Sequence, residues 1–197
     1  WRQNLGGSFY IGTATSVGNG DAQPGFITIR GLELTGAGQG KTFTDALGRV
    51  SEEQGQPAIY VKGATNITIE DNYMHHNGMG VFSNSNHDYE VVQNLVLRGN
   101  LFEDNGVPGS FLSHHVYTEG IDTLIDGNTF LEKIEGDYGS LLKMRDVGVT
   151  ITNNYFGNTY THAIDLGDVQ GDALNNLGLA NSDKFHTPPA IMIGTSF

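Results

Sequence analysis

Four asparagines, Asn72, Asn100, Asn128 and Asn154, follow one another at intervals of 28, 28 and 26 residues. Each closes the same short pattern. Ile67-Thr68-Ile69-Glu70-Asp71 leads to Asn72, Leu95-Val96-Leu97-Arg98-Gly99 to Asn100, Thr123-Leu124-Ile125-Asp126-Gly127 to Asn128, and Val149-Thr150-Ile151-Thr152-Asn153 to Asn154. An earlier copy, Ile27-Thr28-Ile29-Arg30-Gly31, places Leu32 where the others have Asn. A fixed period of this size marks a repeat architecture. Alternation of apolar and polar residues marks strands with one buried face. The copies lack the Asn-Gly type turns that join hairpins. The units are therefore expected to stack in parallel, each strand pairing with its equivalent one turn on.

A second set of strands reads in one frame with Leu141-Leu142-Lys143-Met144-Arg145. Its members are Ala58–Lys62, Gly80–Asn84, His115–Glu119 and Ala163–Gly167. Stacked, they give inward columns Ile59/Val81/Val116/Leu142/Ile164 and Val61/Ser83/Thr118/Met144/Leu166. The outward columns are Tyr60/Phe82/Tyr117/Lys143/Asp165 and Lys62/Asn84/Glu119/Arg145/Gly167.

The Ile-Thr-Ile strand, the turn Asn and the apolar residue two places later resemble the pectate-lyase-like superfamily over residues 26–170. The resemblance implies an all-β fold, a single-stranded right-handed parallel β-helix (a solenoid) of about 5–7 coils spaced about 4.8 Å apart. It implies an amide ladder through Asn72, Asn100, Asn128 and Asn154, which satisfies buried side chains. The core stack would be Leu34/Met74/Phe102/Phe130/Phe156. Residues 1–25 read as a Gly-rich cap or lead-in with a short strand from Ser8 to Thr13. Residues 171–197 read as a tail that is a last coil, a cap or the stub of a longer chain. Open ends suggest end-to-end self-association. The first interval is about a dozen residues longer than the others, an insertion around Gly36–Gln56 that decorates the rod.

Composition narrows the partners. A net charge of −12 argues against a nucleic-acid binder. With no cysteine, disulfides and thiolate metal sites are excluded. No apolar run approaches the length of a membrane span. A secreted, cell-surface or periplasmic setting is expected.

Superfamily lyases cleave acidic polysaccharides by β-elimination. That chemistry needs a cation for the uronate carboxylate, a base for the C5 proton and an acid for the leaving oxygen. The candidate catalytic residues are Lys143, Arg145, Tyr117 and His115. Arg145 suits the carboxylate, Lys143 or Tyr117 the proton, and His115 the leaving group. Glu119, Asp165, Tyr60, Phe82 and Asn84 are the candidate substrate-binding residues, with Tyr60, Phe82 and Tyr117 as a platform for sugar rings. The competing reading pairs Glu119 with Arg145 and Lys143 with Asp165 in an inert surface ladder. Hydrolysis by Asp165, Asp168 and Glu119 is a further possibility, but the Asn-Thr-Asp and Gly-His-Gly motifs of the polygalacturonase-like enzymes are missing. His75-His76 and His114-His115 are set aside as metal sites, because neighbours on a strand face opposite sides. The sequence identifies no certain cofactor. Calcium is the metal that Asp165, Asp168 and Asp172 suggest. The alternative to an enzyme is a non-catalytic β-helix: a filament subunit, a tail-spike segment or a carbohydrate-binding module.

Overall fold

The computed structural model describes residues 9–12, 23–44, 47–52, 54–85, 90–167 and 192–196. Its strands form three strips along one rod. In the first, β1 (Phe9–Gly12), β6 (Pro57–Lys62), β9 (Met79–Asn84), β12 (Val116–Thr118), β15 (Leu142–Met144) and β17 (Ile164–Leu166) pair in that order, all parallel. The second runs β2 (Gly25–Arg30), β7 (Thr65–Glu70), β10 (Gln93–Arg98), β13 (Leu124–Asp126) and then the start of β16 (Thr150–Phe156). The third runs β3 (Glu33–Thr35), β8 (Tyr73–His75), β11 (Leu101–Glu103), β14 (Thr129–Phe130) and the end of β16. A final strand, β18 (Met192–Ser196), pairs in parallel with β16, so part of the tail forms another rung. This is a right-handed parallel β-helix with six rungs in its longest strip.

The corner between the second and third strips explains the repeat. Gly31, Asp71, Gly99, Gly127 and Asn153 all take positive φ, from 55° to 67°. These residue types tolerate the left-handed region. The turn aims the next side chain inward, where the Asn ladder forms. Asn72 Nδ2 donates to Asn100 Oδ1, Asn100 Nδ2 to Asn128 Oδ1 and Asn128 Nδ2 to Asn154 Oδ1, each at 3.0 Å. Leu32 can only donate its backbone N–H to Asn72 Oδ1, at 3.1 Å, so the ladder ends there.

The core fills the space between the strips. Phe102, Phe130 and Phe156 stack nearly parallel at 4.9 and 4.8 Å. Ile59, Val81, Val116 and Leu142 are fully buried, as are Ile67, Leu95 and Ile125. A second ladder lies five residues beyond the first. Asn77 Nδ2 donates to Asn105 Oδ1 at 3.0 Å, and Ala37 N donates to Asn77 Oδ1. Lys133 takes the next equivalent position, buried, and pairs with buried Asp137.

Three placements differ from the sequence reading. Lys62, on an outward column, is covered: it is 9% exposed and pairs with Glu90 at 3.2 Å. Leu166 is 41% exposed, because β17 is the last described strand of its strip and nothing described packs beyond it. The insertion after β3 holds an antiparallel hairpin, β4 (Thr42–Thr44) with β5 (Val50–Glu52), beside the parallel coils.

Candidate functional site

The outward column of the first strip has the expected register: Tyr60 pairs with Phe82, Phe82 with Tyr117, Tyr117 with Lys143, and Lys143 with Asp165. It begins one rung earlier, at Tyr10, which pairs with Tyr60. The four rings follow one another at centroid distances of 5.3, 5.0 and 5.3 Å, each half-buried. Tyr60 donates its hydroxyl to Asn84 Oδ1 at 2.9 Å. Burial, with Tyr10 and the carboxylates of Glu119 and Glu90 nearby, pushes the Tyr60 phenol up to about 12.

Beyond the rings the column becomes charged. Lys143 Nζ donates to Asp165 Oδ2. That bond holds the Asp165 carboxyl below its ordinary range. Tyr117 donates its hydroxyl to Glu119 Oε1 on the adjoining column. Burial and that bond raise the Tyr117 phenol far above the ordinary value. Burial also raises Glu119, against the opposing pull of Tyr117, of a bond from Ser85 and of the Arg145 charge. Arg145 lies over Gly167, where a Cβ would stand 3.4 Å from its Cγ and Cζ. Among the described residues Arg145 forms no ion pair within 4 Å, and its buried Nε has no hydrogen-bond partner. A cation that no described carboxylate pairs with thus stands beside a phenol–carboxylate pair.

A family model described as a right handed beta helix region matches residues 31–183. The chain belongs to the right-handed β-helix family. No curated protein and no solved structure matches it.

In this β-helix, His115 is not on the outer face. Its side chain is fully buried. Nδ1 faces Asn105 Nδ2 at 3.2 Å and Nε2 faces the Leu131 carbonyl at 3.0 Å. The pairing fixes the tautomer: Nε2–H donates and Nδ1 accepts. Burial pushes the imidazole down to about 3. The expected proton donor to a leaving group is a structural pin that ties the second Asn ladder to the loop before β12. His114 instead approaches the outer face. Its ring stacks against Tyr117 at 5.8 Å, and Nδ1 accepts the Ser140 N–H at 2.9 Å. Sequence reasoning passed over His114 because it lies one residue before the strand frame.

A buried carboxylate, Asp146, supports the site from within. It accepts the hydroxyls of Thr118 and Thr123 at 2.5 and 2.6 Å, and burial raises it to about 6. Two cavities, of about 480 and 320 Å³, lie elsewhere, at the corner after the third strip. Asp104, Glu132 and Asn158 line both, and no residue of the outward columns lines either. Of the calcium candidates, Asp165 is bound to Lys143, while Asp168 and Asp172 lie outside the described residues. Among the described residues no three His, Cys, Asp or Glu groups are arranged to hold a metal ion. No helix among them is long and apolar enough to cross a membrane.

Proposed function

We propose that the outer face of the first strip takes an acidic polysaccharide along the rod axis and cleaves it by β-elimination. The observation that carries this reading is Arg145, a cation without an ion-pair partner among the described residues, beside the Tyr117–Glu119 hydrogen bond. The guanidinium receives the uronate carboxylate in a bidentate pair. The ladder of Tyr10, Tyr60, Phe82 and Tyr117 gives sugar rings a stacking surface. Lys143, already bonded to Asp165, is a donor and a positive charge, not a base.

The roles then differ from those expected of the sequence. Glu119, whose raised proton affinity suits a base, takes the C5 proton. Tyr117 donates its hydroxyl proton to the leaving glycosidic oxygen as the C4–O bond breaks and the C4=C5 bond forms. Glu119 then returns its proton to the Tyr117 oxygen across their hydrogen bond. The site is reset with no net gain or loss. A secreted or cell-surface setting is part of the same reading.

The test is ultraviolet absorbance from the unsaturated uronate product, read over a panel of acidic polysaccharides. A rise with one substrate is expected, reduced about 10²–10⁴-fold in Glu119→Gln and in Tyr117→Phe. The closed pairs Lys143–Asp165 and Tyr117–Glu119 favour a second reading, a binding module without turnover. A flat trace with binding retained selects that module. Neither turnover nor binding refutes both readings, and self-association through the rod ends becomes the next thing to measure.

A further inference from the structure

His75 and His76 lie away from the outward columns, at the end of β8. Their side chains were expected to point apart. His76 takes a positive φ of 53°, which turns the chain and brings the two rings together. Their Nδ1 atoms stand 2.6 Å apart. The far nitrogen of each ring faces a carboxylate: His75 Nε2 lies 3.0 Å from Glu33 Oε1, and His76 Nε2 lies 3.9 Å from Asp104 Oδ2. Tyr73 stacks on the His75 ring at 4.2 Å and holds its plane.

The protonation pattern is constrained. Nε2–H of His75 donates to Glu33, which leaves a lone pair on His75 Nδ1. If His76 likewise keeps its proton on Nε2, facing Asp104, a second lone pair points at the first. Two lone pairs at this distance repel unless a cation stands between them. Either a proton shared between the two Nδ1 atoms, supplied by the Nδ1–H tautomer of His76, or a metal ion completes the arrangement. Imidazoles that bind metals commonly donate their other N–H to a carboxylate, which is the pattern at His75, while His76 Nε2 faces Asp104 at 3.9 Å without a direct hydrogen bond.

We propose that His75 and His76 form a binding site for a divalent first-row transition ion of the Zn²⁺ or Cu²⁺ kind, with Glu33 and Asp104 orienting the ligands. Two nitrogens on a tetrahedral ion stand about 3.3 Å apart, so the rings need open by only about 0.7 Å. With no third protein donor among the described residues placed to join them, water fills the other positions. His76 is more than half exposed, so solvent reaches the ion and the ion exchanges readily. Calcium, which prefers oxygen ligands, does not fit.

The test is calorimetric titration of the intact chain with Zn²⁺, and electron paramagnetic resonance of the chain loaded with one equivalent of Cu²⁺. One equivalent of Zn²⁺ is expected, and splitting of the Cu²⁺ signal by two imidazole nitrogens. His75→Ala and His76→Ala each weaken binding more than about 10-fold, and Glu33→Gln weakens it about 10-fold. His162→Ala, an exposed histidine elsewhere, leaves it unchanged. Circular dichroism confirms that each variant is folded. Absence of saturable Zn²⁺ and Cu²⁺ binding overturns the proposal and leaves a shared proton. So does an equivalent that survives in His75→Ala.

Discussion

Replacing Asn100 with alanine tests the physical basis of the repeat. The side chain is 1% exposed and makes four hydrogen bonds. Its Oδ1 accepts from Asn72 N at 3.1 Å and from Asn72 Nδ2 at 3.0 Å. Its Nδ2 donates to the Ile69 carbonyl at 2.8 Å and to Asn128 Oδ1 at 3.0 Å. At a net value of about 1 kcal/mol per bond, alanine costs about 4 kcal/mol, because water cannot reach the groups left behind. That is a large part of a typical domain's stability of about 5–15 kcal/mol. For a chain of this size it lowers the melting temperature by about 8–16 °C. The assay is urea and thermal unfolding followed by circular dichroism. Asn158→Ala serves as a comparison, since it removes one exposed bond to Glu132 and should change stability by less than about 0.5 kcal/mol. A loss below about 1 kcal/mol for Asn100→Ala would refute the view that amide bonding between coils holds the corner together.

Other perturbations follow from the same structure. Phe130→Ala removes the middle ring of the Phe102–Phe130–Phe156 stack and should cost about 3–5 kcal/mol by urea unfolding. His115 and His114, held down to about 3 and about 4, stay neutral in the fold while the unfolded chain takes up protons. Their contribution is complete above about pH 6.5 and is lost as pH falls below it. Asp146, raised to about 6, works the other way: its contribution is complete below about pH 4 and is lost as pH rises through 6. Urea midpoints against pH should therefore fall on acidification, less steeply in His115→Gln and more steeply in Asp146→Asn. Lys143→Met breaks a partly exposed pair and should change stability by less than about 1 kcal/mol in the same assay, while weakening the binding of an acidic glycan.

The repeat made the fold legible. A period near 28 residues, alternating strands and a corner residue that tolerates positive φ leave few alternatives to a parallel coil, and the register of the outward columns follows from it. The second ladder was available too, since Asn77 and Asn105 share the same spacing five residues on. What the sequence hid were departures from two-residue periodicity. His115 precedes the strand proper and packs inward against a neighbouring loop, so strand alternation assigns it to the wrong environment. His76 occupies a corner, so the rule that neighbours face apart does not hold for the His75–His76 pair. Lys62 obeys the alternation in register but bends to Glu90, a partner supplied by a loop that periodicity does not describe. Within the site, the closure of Lys143 on Asp165 was foreseeable from the stacked columns. Glu119 was expected to stack against Arg145; instead Tyr117 takes up the Glu119 carboxylate and Arg145 is left without an ion-pair partner among the described residues.

The most direct test of the account is calorimetric titration of the wild type and of Arg145→Ala with acidic polysaccharides and with neutral ones of matched backbone. The account predicts saturable binding of at least one acidic glycan, weakened about 10-fold or more in Arg145→Ala, and no comparable binding of its neutral counterpart. Equal binding of acidic and neutral chains, or an Arg145→Ala variant that binds as the wild type does, would contradict it.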